Sequence, residues 1–198
     1  SGSTFSVMSY NVRLFNKYRW IDKPNVSSEI ERLITEENPD IVCFQEYSIL
    51  NAPKLKNYKF KYIYPNTSNG GKSTVAIFSK LKIKSKGFID FNNSSNCGVY
   101  IDISFRKQDF RVYNLHLESF KLDKVDKITD SNFSKNFKLK FDKVSRRQIE
   151  QIDFFKNIDK FNDSPSIIAV DLNNTQFSEP YKVLSQKKKM PFILQDQV

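Results

Sequence analysis

The feature that most constrains this chain is a set of short apolar runs, each ending abruptly on a carboxylate, a carboxamide or an imidazole. Asp40–Gln45 (DIVCFQ) delivers Glu46, and Ser166–Val170 (SIIAV) delivers Asp171 and, two residues on, Asn173. Unbroken apolar runs of this length suit strands covered on both faces, so the sheet that holds them needs a layer on each side. Thr4–Val12 (TFSVMSYNV) is a further β-rich run, with Phe5 and Val7 on one face by period two, and Asn11 stands at its end. Ser73–Phe78 reads as a strand after the turn chemistry of Asn66–Gly71 (NTSNGG). Val99, Ile101, Ile103 and Phe105 then alternate with Tyr100, Asp102 and Ser104, while Phe110, Val112, Asn114 and His116 share one face of the next run. The short connection Arg106–Asp109 predicts that these two strands pair as an antiparallel hairpin.

Helical signals fall between the strands. Ser28 with Glu31 three residues on has the form of a capping box, Ile30, Leu33 and Ile34 follow at helical spacing, and Asn38-Pro39 stops the turn. Val144–Phe161 carries Ile149, Ile152 and Phe155 on one stripe, and Pro165 ends the connection. Phe120–Lys143 is Lys-rich with no clean period and reads as an exposed arm or broken helix, either a solvated excursion or a basic flap over substrate or membrane. Ser178-Glu179-Pro180 has the look of a helix start, followed by a mixed Lys-rich tail. Strands outnumber helices, and one pair is a hairpin. The expected architecture is therefore α+β, a layered sandwich of mixed sheets rather than a doubly wound parallel sheet. Length supports one domain, residues 4–198, with Ser1-Gly2-Ser3 read as the scar of a cleaved tag.

Composition narrows the function classes. No apolar run approaches the roughly 20 residues needed to cross a bilayer. Cys43 and Cys97 lack metal-ligand spacing, and Cys43 reads as core. His116 is the only histidine, which removes multi-histidine zinc sites. There is no Walker loop, no Gly-Xaa-Ser-Xaa-Gly elbow and no GxGxxG. A formal charge of +10 suits a polyanionic partner, nucleic acid or an anionic membrane surface. Carboxylates set just beyond buried strands are how hard oxygen ligands for Mg²⁺ are usually presented, so hydrolysis by metal-activated water is the chemistry that remains.

Five blocks carry a family resemblance. Val7–Arg13 (VMSYNVR), Pro39–Glu46 (PDIVCFQE), Ala76–Lys80 (AIFSK), Tyr113–Leu117 (YNLHL) and Val170–Asn174 (VDLNN) resemble, in order and spacing, the endonuclease/exonuclease/phosphatase superfamily, also called DNase I-like. The likeness extends to a bacterial branch whose members often carry membrane helices ahead of this domain, which implies a membrane-associated protein with this domain exposed. The resemblance implies a four-layer sandwich, two packed sheets flanked by helices, with the site at one rim. It makes Glu46 the main Mg²⁺ ligand, with Mn²⁺ able to replace the metal, and sets Asn11 beside it. Asp171 would orient or deprotonate the attacking water, Asn173 would hold that water or a phosphate oxygen, and His116 would stabilise charge at the phosphate.

Two departures from the family pattern stand out. Its Gly-Asp-Phe-Asn appears as Val170-Asp171-Leu172-Asn173, and its closing Asp-His pair has no counterpart, so the domain is expected to lack its last strands. The resemblance thus implies a monomeric Mg²⁺-dependent phosphodiesterase or phosphatase, nuclease-like, acting on nucleic acid or on lipid or inositol phosphates. The alternative is a non-catalytic module of the same fold that binds nucleic acid or anionic lipid.

Overall fold

A computed structural model describes residues 4–19, 21–66, 73–119, 133–172 and 192–194. They form two compact units, one of residues 1–116, 163–171 and 190–198, the other of 117–162 and 172–189. The first unit holds β1 (Val7–Asn11), α1 (Val26–Glu37), β2 (Ile41–Gln45), β3 (Phe60–Tyr64), β4 (Val75–Ser79), β5 (Ile83–Asp90), β6 (Cys97–Phe105), β7 (Gln108–His116), β8 (Ser166–Asp171) and β9 (Phe192–Leu194). One sheet has the order β1-β2-β4-β3 and the other β5-β6-β7-β8-β9. Both are mixed, because β1 pairs parallel with β2, and β7 with β8 and β8 with β9, while the remaining neighbours run antiparallel. These are the two sheets that the family resemblance implies, and their mixed character fits the layered sandwich read from the strand pattern.

The apolar alternation explains the layering. β2 turns Ile41 and Cys43 to the second sheet, where they join Val75, Ile77, Val99, Ile101, Ile103, Val112 and Ala169, with Phe5 and Val7 packed against this core. Its other face gives Val42 and Phe44 to a second core with Ile30 and Ile34 of α1 and Phe78 of β4. Every residue of β2 and of β4 is consequently buried, Cys43 among them. The β6–β7 hairpin turns on Arg106 and Lys107, whose φ values of 51° and 67° are the left-handed pair that a two-residue turn between twisted strands demands.

Two local expectations for α1 need correction. The helix α1 begins at Val26 behind Asn25, with Glu29 N–H donating to the Asn25 carbonyl, so Ser28 lies inside the helix and the Ser28/Glu31 pair is no capping box. Leu33 sits on the exposed side, and of the three apolar residues read at helical spacing only Ile30 and Ile34 are buried. Asn38 closes the helix in the left-handed conformation at φ 49°, the role its short polar side chain suits.

In the second unit, α2 runs unbroken from Phe133 to Asp159, so the stretch 133–143 is helical rather than an irregular arm. Gln148, Gln151, Ile152, Phe155 and Asp159 form its buried stripe. Two glutamines on that stripe satisfy irregular backbone. Gln148 Nε2 donates to the carbonyls of Glu118 and Leu172, each at 2.6 Å, and Gln151 Oε1 accepts from the Glu118 N–H at 2.9 Å. The turn read at 66–71 beyond Asn66 and the helix start at 178–180 lie outside the described residues.

On β6 and β7 the register partners Asp102 and Arg111 form a bidentate pair, Nε to Oδ1 at 2.7 Å and Nη2 to Oδ2 at 2.8 Å. The guanidinium lies 4.0 Å over the Tyr100 ring, and that ring crosses Gly87 of β5 so closely that a Cβ there would stand 2.5 Å from it. Burial works to raise the Asp102 carboxyl, but the Arg111 bonds and the Ser85 hydroxyl outweigh it and hold the group below the usual carboxylate range. Stability from this pair is complete above the ordinary carboxyl value near pH 4 and disappears as pH falls through the lowered folded value. The gap in urea-unfolding stability between wild type and Asp102→Asn should therefore be open at neutral pH and close below about pH 4. A gap that stays constant through the acid range contradicts this assignment.

Candidate active site

Four strand ends meet at one rim of the first unit. Asn11 closes β1, Glu46 follows β2, His116 closes β7 and Asp171 closes β8. Parallel pairing aligns these ends two by two, Asn11 opposite Gln45 and His116 opposite Asp171. A single carboxamide then links the two sheets. Asn11 Nδ2 donates to Glu46 Oε1 at 3.1 Å and to Asp171 Oδ2 at 2.7 Å, while its Oδ1 accepts the Arg13 N–H at 3.0 Å. His116 Nε2 lies 3.8 Å from Glu46 Oε1. His116 and Asp171 are each 4% exposed, whereas the Glu46 side chain keeps 28% of its surface open to solvent.

Beneath the rim, a buried carboxamide pair sets the spacing of the sheets. Gln45 Nε2 donates to Asn114 Oδ1 at 2.7 Å, and Asn114 Nδ2 donates to the carbonyls of Phe44 at 2.9 Å and Ala76 at 3.0 Å. Gln45 also donates to Ser9 Oγ of β1 at 3.1 Å. Asn114 thus fastens β7 to β2 and β4 together. Phe44 pairs with Ala76, and Tyr47 N–H next meets the Thr74 carbonyl, so Gln45 and Glu46 together face Val75 alone. Such a bulge re-aims the side chain it carries, and Glu46 adopts φ 49° at this point.

The backbone leaving β1 is also unusual. Arg13, Leu14, Phe15 and Asn16 have φ values of 42°, 53°, 54° and 59°, a left-handed turn of four consecutive non-glycine residues. Each such residue costs roughly 1 kcal/mol, so the turn needs compensation. Phe15 supplies it by burying its ring edge-on to Tyr47 at 5.5 Å and near Phe44 at 6.4 Å, and Leu14 N–H donates to the Glu46 carbonyl at 2.7 Å. Burial pushes the Tyr47 phenol up to about 12.

Of the residues singled out in the sequence, Asn11, Glu46, His116 and Asp171 are brought together, and Asn173 lies outside the described residues. The Gln45–Asn114 pair was not foreseen as a unit. Its only sequence signal is a carboxamide standing where the alternation calls for an inward apolar side chain.

The donor set fits a hard divalent cation. Two carboxylates from different sheets are held close by one amide, an arrangement that adds like charge unless a cation joins it, and Mg²⁺ sites often use one or two carboxylates with substrate phosphate and water completing the shell. Among the described residues no group of three or more His, Cys, Asp or Glu forms a ready-made cage. Asn11 turns its NH₂ to the carboxylates and its oxygen to the backbone, which makes it their organiser.

A two-sheet α+β sandwich with a carboxylate-lined rim defines the class to which known structures can be compared. Similar chains include SmcL, 18% identical with TM-score 0.65, covering 92% of this chain and 69% of that one. A humanized D. rerio TDP2 carrying 14 mutations is 15% identical with TM-score 0.63, covering 91% of this chain and 66% of that one. A β-hairpin deletion mutant of beta toxin from Staphylococcus aureus is 20% identical with TM-score 0.59, covering 92% and 72%. At these identities the likeness carries the fold. No curated protein matches the sequence. The sequence profile of the Endonuclease/Exonuclease/phosphatase family matches residues 8–196, and the chain belongs to that family, whose members hydrolyse phosphate esters and generally use divalent metals.

The geometry makes a prediction about stability that is separate from turnover. Glu46→Gly removes one of two neighbouring carboxylates and relieves a left-handed φ, so thermal melting should show stability unchanged or raised by about 1 kcal/mol. A marked fall in melting temperature would show that the carboxylate holds the rim together instead.

Proposed function

We propose that the chain is a divalent-metal-dependent phosphodiesterase, nuclease-like in its chemistry, using Mg²⁺ with Mn²⁺ as a substitute. The observation that carries this reading is the link from Asn11 to both Glu46 and Asp171, 3.1 and 2.7 Å, with His116 alongside. Glu46, whose side chain keeps 28% of its surface open to solvent, would hold the cation, and Asp171 would be its neighbour. When bound, the metal supplies charge neutralisation at the phosphate oxygens and acidifies coordinated water.

The protein's own groups have distinct tasks in this reading. Asn11 keeps the two carboxylates at fixed separation, so that no reorganisation is required as charge develops. Asp171, buried and anchored, orients the attacking water and accepts its proton at a carboxylate oxygen. His116 donates from its imidazole to a phosphate oxygen and stabilises the negative charge of the pentacoordinate state. Asn173, two residues past Asp171, would hold the water or a phosphate oxygen. The bound ester is nucleic acid, or a lipid or inositol phosphate, and the net charge of +10 supports any such polyanion.

The test is hydrolysis of bis(p-nitrophenyl) phosphate by the folded chain with Mg²⁺, with Mn²⁺ and with chelator. Activity should require the metal, and Glu46→Gln, His116→Ala and Asp171→Asn should each lower kcat by roughly 10² to 10⁴. A rate indifferent to both chelator and Glu46→Gln would overturn this reading, and no hydrolysis under any of these conditions would favour the non-catalytic binding module.

A further inference from the structure

The two loops that leave the rim from β1 and β2 carry a feature that hydrolysis does not use. The loop after β1 exposes Tyr18 at 63% and Ile21 at 51%, and the loop after β2 exposes Ile49 at 46% and Leu50 at 85%. One exposed apolar residue is ordinary, but several on adjoining loops beside a site call for a partner. The loops are bound to the same framework. Phe15 and Tyr47 pack edge to face at 5.5 Å, Leu14 N–H donates to the Glu46 carbonyl at 2.7 Å, and Ser27 Oγ donates to the Asn51 carbonyl at 3.0 Å.

Their backbones are also internally held. Asn16 Nδ2 donates to the carbonyls of Ile21 at 2.8 Å and Lys23 at 3.2 Å, and its Oδ1 accepts the Ile21 N–H at 3.2 Å. Asn51 Nδ2 donates to Ser48 Oγ at 2.8 Å. The aliphatic side chains are therefore displayed by ordered loops, which lowers the entropic cost of docking them.

Both loops are predominantly basic in sequence. Over residues 13–25 the exposed Arg13, Lys17, Arg19 and Lys23 face a single acid, Asp22. Over residues 47–59 the exposed Lys54, Lys56 and Lys59 face none. We propose that these two loops form an interfacial docking surface for a bilayer containing anionic lipid, seating the Glu46 rim against the membrane. Aliphatic tips on basic loops match the apolar depth and negative surface of such a bilayer. Single-stranded nucleic acid fits less well, because of the four exposed residues only Tyr18 offers a π-face for bases to stack on, while Ile21, Ile49 and Leu50 offer none. A second copy of the chain would set like charge against like.

The inference concerns docking and stands apart from the phosphodiesterase reading, since it needs neither the metal nor Asp171. The test is co-sedimentation of the chain with vesicles of phosphatidylcholine alone and with vesicles that also contain phosphatidylserine. Binding should appear on the anionic vesicles and weaken with salt. The double variants Ile49→Ser/Leu50→Ser and Lys17→Glu/Arg19→Glu should each lower partitioning at least about tenfold while leaving melting temperature and soluble-diester hydrolysis unchanged. Failure of the wild type to partition, or variants that partition as well as it does, would overturn the proposal. So would a loss in the same variants of oligonucleotide binding or of self-association, with vesicles ignored throughout.

Discussion

A buried carboxamide inserted between two sheets is the interaction on which the rim depends. Asn114 reaches from β7 to the Phe44 and Ala76 carbonyls and to the Gln45 side chain, so one side chain fixes β7 against both β2 and β4. Apolar packing alone between two sheets tolerates small slides, because hydrophobic burial is non-directional. Hydrogen bonds of fixed length do not tolerate them, and leaving these carbonyls unpaired in the core would cost on the order of 1–3 kcal/mol each. Two residues beyond Asn114 stands His116, and two beyond Phe44 stands Glu46. Locking the first pair of positions therefore sets the second pair, which lies 3.8 Å apart.

The rest of the rim carries costs that this framework offsets. Four left-handed residues leave β1, Glu46 itself is left-handed, and two carboxylates share one amide. Strain and like charge of this kind persist only where the surroundings over-determine them, and they gather where a ligand is to be met. Phe15, Tyr47 and Phe44 supply the packing that holds the turn, and Asn11 supplies the bonds that hold the carboxylates. A hard cation beside Glu46 would convert the repulsion into attraction, which links the local electrostatics to the chemistry of the family.

The central strands were legible in the sequence because they are buried on both faces and read as unbroken apolar runs, as β2 and β8 do. The edges were not. β3, β5 and β9 escaped notice, and the reason is visible in IKSKGFID of β5, a strand at the sheet edge rich in Lys, as edges that must avoid pairing tend to be. The early part of α2 was missed because its Lys-rich turns blur the period that Ile152 and Phe155 show later. Asn11, Glu46, His116 and Asp171 could be picked out because each follows an apolar run, whereas the bridging of Glu46 and Asp171 by Asn11 could not, since partner choice among polar groups 35 and 160 positions apart leaves no local pattern. Gln45 and Asn114 were hidden for the same reason.

The central claim is that the sheet-to-sheet clamp brings Glu46 and Asp171 to one rim where a cation and a phosphate are held together. Anomalous diffraction from crystals soaked in Mn²⁺ and inorganic phosphate tests it most directly. The account expects a manganese peak against Glu46, with Asp171 adjacent and phosphate density beside His116. A peak elsewhere on the molecule, or carboxylates found turned away from each other with the Gln45–Asn114 bond intact, would contradict it.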